Sequence, residues 1–130
     1  MPNSQFSKRV LIIDDEADIR EVAALSLEMT AGWEVRTASS GVEGLAMAAA
    51  DAPDAILLDV MMPDMDGPST FERLRADPAT AAIPVVLLTA KVQAADHRRF
   101  HELGVAGVLS KPFDPMGLAG ELAGLLRWPA

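Results

Sequence analysis

The chain has no cysteine. That excludes disulfides, thiolate nucleophiles and cysteine-ligated zinc or iron–sulfur centres. Cations are scarce too: eleven Lys and Arg stand against nineteen Asp and Glu, for a formal charge of -8. Such a balance argues against a bare domain that grips nucleic acid through a broad basic face. No apolar stretch approaches the roughly 18 residues needed to span a bilayer. Nor does this N-terminus look like a signal peptide, because Val10-Leu11-Ile12-Ile13 is too short for its apolar region and runs straight into two aspartates. The expectation is a soluble, cytoplasmic protein with no direct nucleic-acid or membrane partner. What remains is 130 residues, half of them apolar, about the size of one domain with a real core.

The chemistry is organised around Asp59. It closes the run Ala55-Ile56-Leu57-Leu58-Asp59, whose apolar residues end in a carboxylate before the loop Val60 to Gly67. A short apolar run bounded by turn signals suits a strand buried on both faces of a parallel sheet. Three other runs end in the same way. Val10 to Ile13 leads into Asp14-Asp15, Val85 to Leu88 into Thr89, and Val105 to Ser110 into Lys111. In an open α/β sheet, ligands bind in the crevice outside the carboxyl ends of the strands. One rim therefore receives three carboxylates, a hydroxyl and an ammonium.

Helical patterns separate these runs. Residues 1–7 read as a loose N-terminal arm, and 8–130 as a single domain. The first helix starts at Glu16, carries Ile19, Val22, Leu25 and Met29 at helical spacing, and stops at Gly32. Trp33 to Ala38 alternates apolar and polar residues, as an edge strand does. Ser39-Ser40-Gly41 caps a second helix carrying Val42 and Leu45, and Pro68 opens a third with Phe71 and Leu74 on its apolar face. A fourth strand is expected over 83–88, a fourth helix from about Val92 to Leu103, and a fifth with Leu118, Leu122 and Leu125 inward. Strands alternating five times with helices predict a doubly wound parallel sheet of the α/β class.

Three carboxylates on one rim raise one another's pKa unless something compensates. Hard oxygen ligands with incomplete protein coordination favour Mg²⁺, and the dication with Lys111 roughly neutralises Asp14, Asp15 and Asp59. Phosphoryl transfer needs positioning and charge neutralisation above all, and a strand-tip carboxylate can act as nucleophile. Asp59, central in the sheet, is the candidate acceptor, with Thr89 and Lys111 placed for the remaining phosphoryl oxygens.

The motifs Ile12-Ile13-Asp14-Asp15-Glu16, Leu57 to Gly67, Leu88-Thr89-Ala90 and Ser110-Lys111-Pro112-Phe113 together resemble the receiver domain of two-component response regulators. The resemblance spans about Lys8 to Arg127. It implies a flavodoxin-like fold of strand order 2-1-3-4-5 and a cis Lys111-Pro112 bond. It implies further that Asp59 takes a phosphoryl group from a sensor histidine kinase or histidine phosphotransfer protein. Mg²⁺ would be held by Asp14, Asp15, Asp59 and the Met61 carbonyl, and output would pass by protein contacts to a downstream partner.

Two departures from the family pattern set further expectations. Val108 stands three residues before Lys111, where the family often has an aromatic ring, so a smaller or different change on the face of the fourth helix, fifth strand and fifth helix is expected. Met61 and Lys91, two residues beyond Asp59 and Thr89, flank the path of the hydrolytic water in the family, and a bulky thioether there predicts a phosphoryl group lasting minutes or longer. The ending Arg127-Trp128-Pro129-Ala130 leans towards a stand-alone regulator, with a receiver cut from a larger protein or a non-phosphorylated binding module as alternatives. A haloacid-dehalogenase-type phosphatase is disfavoured, since that family wants Asp-x-Asp where this chain has Asp14-Asp15-Glu16. Arg98 and Arg99 between His97 and His101 read as a solvated basic face rather than a metal site, a face that could still meet an acidic partner. Met61, Met62 and Met65 read either as loop packing or as an adaptable docking surface. Gly117, Gly120 and Gly124 weaken the last helix, and its stripe with Leu126 and Trp128 suggests a weak homodimer.

Overall fold

A computed structural model describes residues 7–90 and 93–129. The expected N-terminal arm falls almost wholly on residues outside that range, as do Lys91 and Val92. Five strands and five helices alternate: β1 (Arg9–Ile13), α1 (Ala17–Ala31), β2 (Glu34–Ala38), α2 (Gly41–Asp51), β3 (Ala55–Asp59), α3 (Gly67–Ala76), β4 (Val85–Thr89), α4 (Ala94–Glu102), β5 (Gly107–Ser110) and α5 (Leu118–Leu126). All strand pairs are parallel and the sheet order is β2-β1-β3-β4-β5, so the expected fold class holds. Strands β4 and β5 are shorter at their starts than the apolar runs suggested. Pro84 has no N–H for the ladder ahead of Val85, and Gly107 opens β5 where a Cβ would meet the Leu125 side chain at 2.7 Å.

The pleat sends alternate residues to opposite faces, and each face has its own core. Leu11, Ile13, Ile56, Leu58, Val85 and Leu87 face α2, α3 and α4, where Ala48, Phe71, Leu74 and Phe100 meet them. Val10, Ile12, Leu57, Val86 and Leu88 face α1 and α5, against Ala23, Leu27, Leu118 and Leu122. Every residue of β3 and β4 is buried, which explains the absence of polar alternation there. Cutting such a leucine to alanine costs about 2–5 kcal/mol, so the centre of the sheet holds the strand tips rigidly.

Alpha-helix α1 corrects the reading of its periodicity. Its buried residues are Ala23, Ser26 and Leu27, whereas Val22, Leu25 and Met29 are 44%, 57% and 75% exposed. The helix carries two apolar stripes, and the one with smaller side chains faces inward because α1 lies close against α5. Ser26 donates its hydroxyl to the Pro115 carbonyl there. Val42 of α2 is likewise exposed; its neighbours Gly41 and Gly44 are buried instead, and a Cβ on Gly44 would fall 2.4 Å from Ile13. The apolar stripe of α5 finds cover within its own chain: Leu125, Leu126 and Trp128 join the α1 core, and Trp128 meets Trp33 edge to face at 5.1 Å.

Candidate functional site

Backbone bonds lock the strand tips to one another beyond the ladder. The Asp14 N–H donates to the Ala38 carbonyl, Val60 to Leu88, and Lys111 to Thr89, at 2.8–3.1 Å. Asp14, Asp59 and Thr89 are buried while Asp15 is exposed. Behind them the β3–α3 loop turns tightly: Asp64 has φ +69°, and the Gly67 N–H donates to the Val60 carbonyl at 2.9 Å. A Cβ on Gly67 would lie 2.6 Å from the Asp59 carbonyl oxygen, so only glycine lets α3 start this close to the acid. Asp66 caps α3, accepting from the Ser69 N–H at 2.8 Å.

The Lys111 ammonium lies 3.1 Å from Asp14 Oδ2, 3.1 Å from Glu16 Oε1 and 3.2 Å from Asp59 Oδ1. The Lys111-Pro112 peptide is cis. Sequence reading gave Glu16 only a place at the helix start, yet it is a direct partner of Lys111. No spacing signal joins residues 95 apart, and only their convergence on the rim brings them together. Arg20 was also missed; it donates from Nη1 to the Asp14 carbonyl at 2.9 Å. The Glu16 N–H holds Asp14 Oδ1 at 2.9 Å.

Burial is the largest influence on Asp59, the charge of Asp14 adds to it, and Lys111 opposes both; the net effect pushes the Asp59 pKa up to about 7. Burial works against the Lys111 charge as well, but hydrogen bonds to Asp14 and Glu16 and the charges of Asp14 and Asp59 outweigh it and raise its pKa. Asp14, Asp15 and Asp59 each offer an oxygen within 4.8 Å of the others. Asp59 Oδ2 is buried and, among the described residues, accepts no hydrogen bond. Four carboxylates, Glu16 included, around one ammonium leave a surplus of negative charge. A carboxylate oxygen without a donor, hard oxygen ligands and surplus anionic charge suit a divalent cation such as Mg²⁺.

Two surfaces flank this rim. Leu25, Met29 and Met116, the last 79% exposed, form an apolar patch beside the loop that follows Lys111. On the opposite side, Met61, Met62 and Phe100 line a groove between the β3–α3 loop and α4. Among the described residues no helix is long and apolar enough to cross a membrane.

Comparison with known proteins agrees with this geometry. The response regulator receiver domain family matches residues 10–123. The chain is 42% identical over 119 residues to the DNA-binding dual master transcriptional regulator RpaA of Synechocystis sp., covering 92% of this chain and 49% of that protein. It is 45% identical over 125 residues to the response regulator PleD of Caulobacter vibrioides, covering 95% and 27%. The chain thus spans about half or less of the length of these curated relatives. The solved structure of the chemotaxis response regulator CheY4 of Vibrio cholerae superposes with a TM-score of 0.85 at 33% identity, covering 92% of this chain and 98% of that one. The chain belongs to the response regulator receiver domain family, the signalling modules of two-component systems.

Proposed function

We propose that Asp59 accepts a phosphoryl group from a phosphohistidine of a sensor histidine kinase or histidine phosphotransfer protein, and that residues 8–130 form the receiver that passes this state on by protein contacts in the cytoplasm. The observation that carries the reading is the Asp59 carboxylate itself: buried at a strand tip, with one oxygen 3.2 Å from Lys111 and the other accepting no hydrogen bond among the described residues.

In the transfer, an Asp59 oxygen attacks phosphorus, the phosphorus–nitrogen bond of the donor breaks, and its electron pair stays on the imidazole. Asp59 must be ionised to attack, and neighbouring positive charge makes it so. Lys111 and the Thr89 hydroxyl then face the phosphoryl oxygens. Asp14, Asp15, Asp59 and the Met61 carbonyl would hold Mg²⁺, which supplies positive charge where the transferring oxygens need it. Glu16 and Asp14 keep Lys111 directed at the rim. The chain does not need to turn over a separate substrate: both the phosphorylation and its slow loss occur on its own carboxylate.

The test is incubation with acetyl phosphate and Mg²⁺ followed by intact-mass measurement of the wild type and of Asp59→Asn. One added phosphoryl that requires Mg²⁺ and disappears in Asp59→Asn is expected, and it should persist for minutes with Met61 beside the acid. An adduct that survives in Asp59→Asn would move the acceptor elsewhere. Absence of any adduct, also with a phosphohistidine donor, would make the chain a non-phosphorylated binding module, and loss within seconds would refute the Met61 argument.

A further inference from the structure

We infer that the groove between the β3–α3 loop and α4 is a docking site for an acidic, amphipathic segment of a partner protein. The groove has a volume of about 710 Å³, and its walls are largely apolar: Met61, Met62, Pro63, Pro68, Phe100 and Leu103. Methionine side chains adapt to irregular apolar surfaces, so such walls accept leucine-like or aromatic side chains without one fixed shape. Its polar groups are Asp66, already engaged in capping α3, and Arg99.

Charge selects the occupant. Residues 67–106 contain five Lys and Arg with four Asp and Glu, and both histidines of the chain; the remaining residues contain six and fifteen. A stretch close to neutral in this otherwise acidic protein therefore borders the groove. Arg99 is 72% exposed at its side chain, and its ion pair among the described residues is a 3.4 Å contact to Asp96 on its own helix. An exposed pair of this kind contributes little, so Arg99 can exchange Asp96 for an incoming carboxylate at small cost. Arg98 and His101 are exposed on the same helix. On the α3 side, the Arg75 guanidinium lies 5.5 Å from the Phe71 ring and close to Gly104, beyond the end of α4.

A polyphosphate or nucleic acid would leave the apolar walls unused. A second copy of this chain could offer an acidic face, in a reciprocal pair or head to tail in a ring or open chain, and self-association abolished by Arg99→Glu is the outcome that would show it. An acidic segment with apolar side chains on one side uses both properties at once. This inference does not depend on phosphorylation of Asp59.

The experiment pans a phage-displayed library of random linear peptides on the full chain, then measures the enriched peptides by fluorescence anisotropy against the wild type, Arg99→Glu and Leu25→Glu. Expected are peptides that place Asp or Glu beside Leu or Phe, weaken with added salt, lose on the order of tenfold in affinity on Arg99→Glu and bind Leu25→Glu unchanged. With methyl-labelled methionine, they should shift the Met61 and Met62 signals and leave Met29 and Met116 in place. No enrichment, enriched peptides without acidic residues, or binding indifferent to Arg99→Glu would overturn the inference, as would concentration-dependent self-association of the protein abolished by Arg99→Glu. Arg99 is exposed and outside both cores, so its variant is expected to fold; unchanged circular dichroism and melting verify this before binding is compared.

Discussion

At the scale of single residues, the rim is a contest for one carboxylate. Asp59 has its pKa raised from 3.8 to about 7, first by burial and then by Asp14, so between those pH values the folded chain holds a proton that the unfolded chain has released. Its contribution to stability is therefore fully present below the unfolded value and is lost as pH rises through about 7. A cation that binds Asp59 must displace the same proton. Near pH 6 only about a tenth of Asp59 is ionised and near pH 8 about nine tenths, so Mg²⁺ affinity is expected to rise about tenfold between them and then level off. Isothermal titration calorimetry at a series of pH values checks this, with protons released on binding at the lower end. A flat profile would mean that Asp59 is ionised throughout and that Lys111 outweighs burial and Asp14. Glu16 belongs to the same contest, because its carboxylate lies 3.1 Å from the same Lys111 ammonium that meets Asp59 at 3.2 Å.

At the scale of elements, α1 separates chemistry from recognition. Its outward residues Val22, Leu25 and Met29 are exposed, and they adjoin the loop after Lys111 that Ser26 fastens to α1. A phosphohistidine donor must bring its ring to that rim and rest on something beside it, and this patch is one of the two apolar surfaces that flank the rim. Leu25→Glu is therefore expected to slow transfer from a phosphohistidine donor about tenfold or more while labelling by acetyl phosphate stays unchanged. Stopped-flow or gel transfer assays on both donors measure it; equal slowing of both would place the defect in folding or in the rim itself. The same helix marks where sequence could be read and where it could not. The strand tips were legible because apolar runs ending in Asp14, Asp59, Thr89 and Lys111 permit few other readings. The inner face of α1 was not, because Ala23 and Ser26 mark close packing against a neighbouring helix that no local pattern announces, and the larger Val22 and Leu25 outweigh them in any periodicity. Glu16 and Arg20 escaped for a related reason: their partners are fixed by the fold, not by spacing. The groove beside α4 was legible only in pieces, as a methionine loop and a basic helix with no indication that they meet.

At the scale of the whole molecule, the sheet divides two cores that meet the rim differently. The α1/α5 side is tied down: Trp128 closes on Trp33, Lys8 sits 5.0 Å over the Trp128 ring, and α5 ends with Arg127 in the left-handed conformation. The opposite side carries the groove and α4, with β4 and then β5 lying beside the Asp59 strand. Val108 is half-buried in the core that holds Phe100 and Val85. A ring at that position buries on the order of 150–250 Å² and can turn as a unit, whereas an isopropyl group has neither the area nor the reach to exchange buried for exposed surface when Thr89 moves. The change on phosphorylation is therefore expected to stay near the rim. Chemical shifts recorded with and without an acyl-phosphate mimic should move at Asp14, Asp59, Thr89 and Lys111 and fade along α4, β5 and α5. Shifts on that face as large as in receivers with an aromatic at this position would show that another group carries the motion, and Phe100, which spans the core and the groove wall, would be the first residue to substitute.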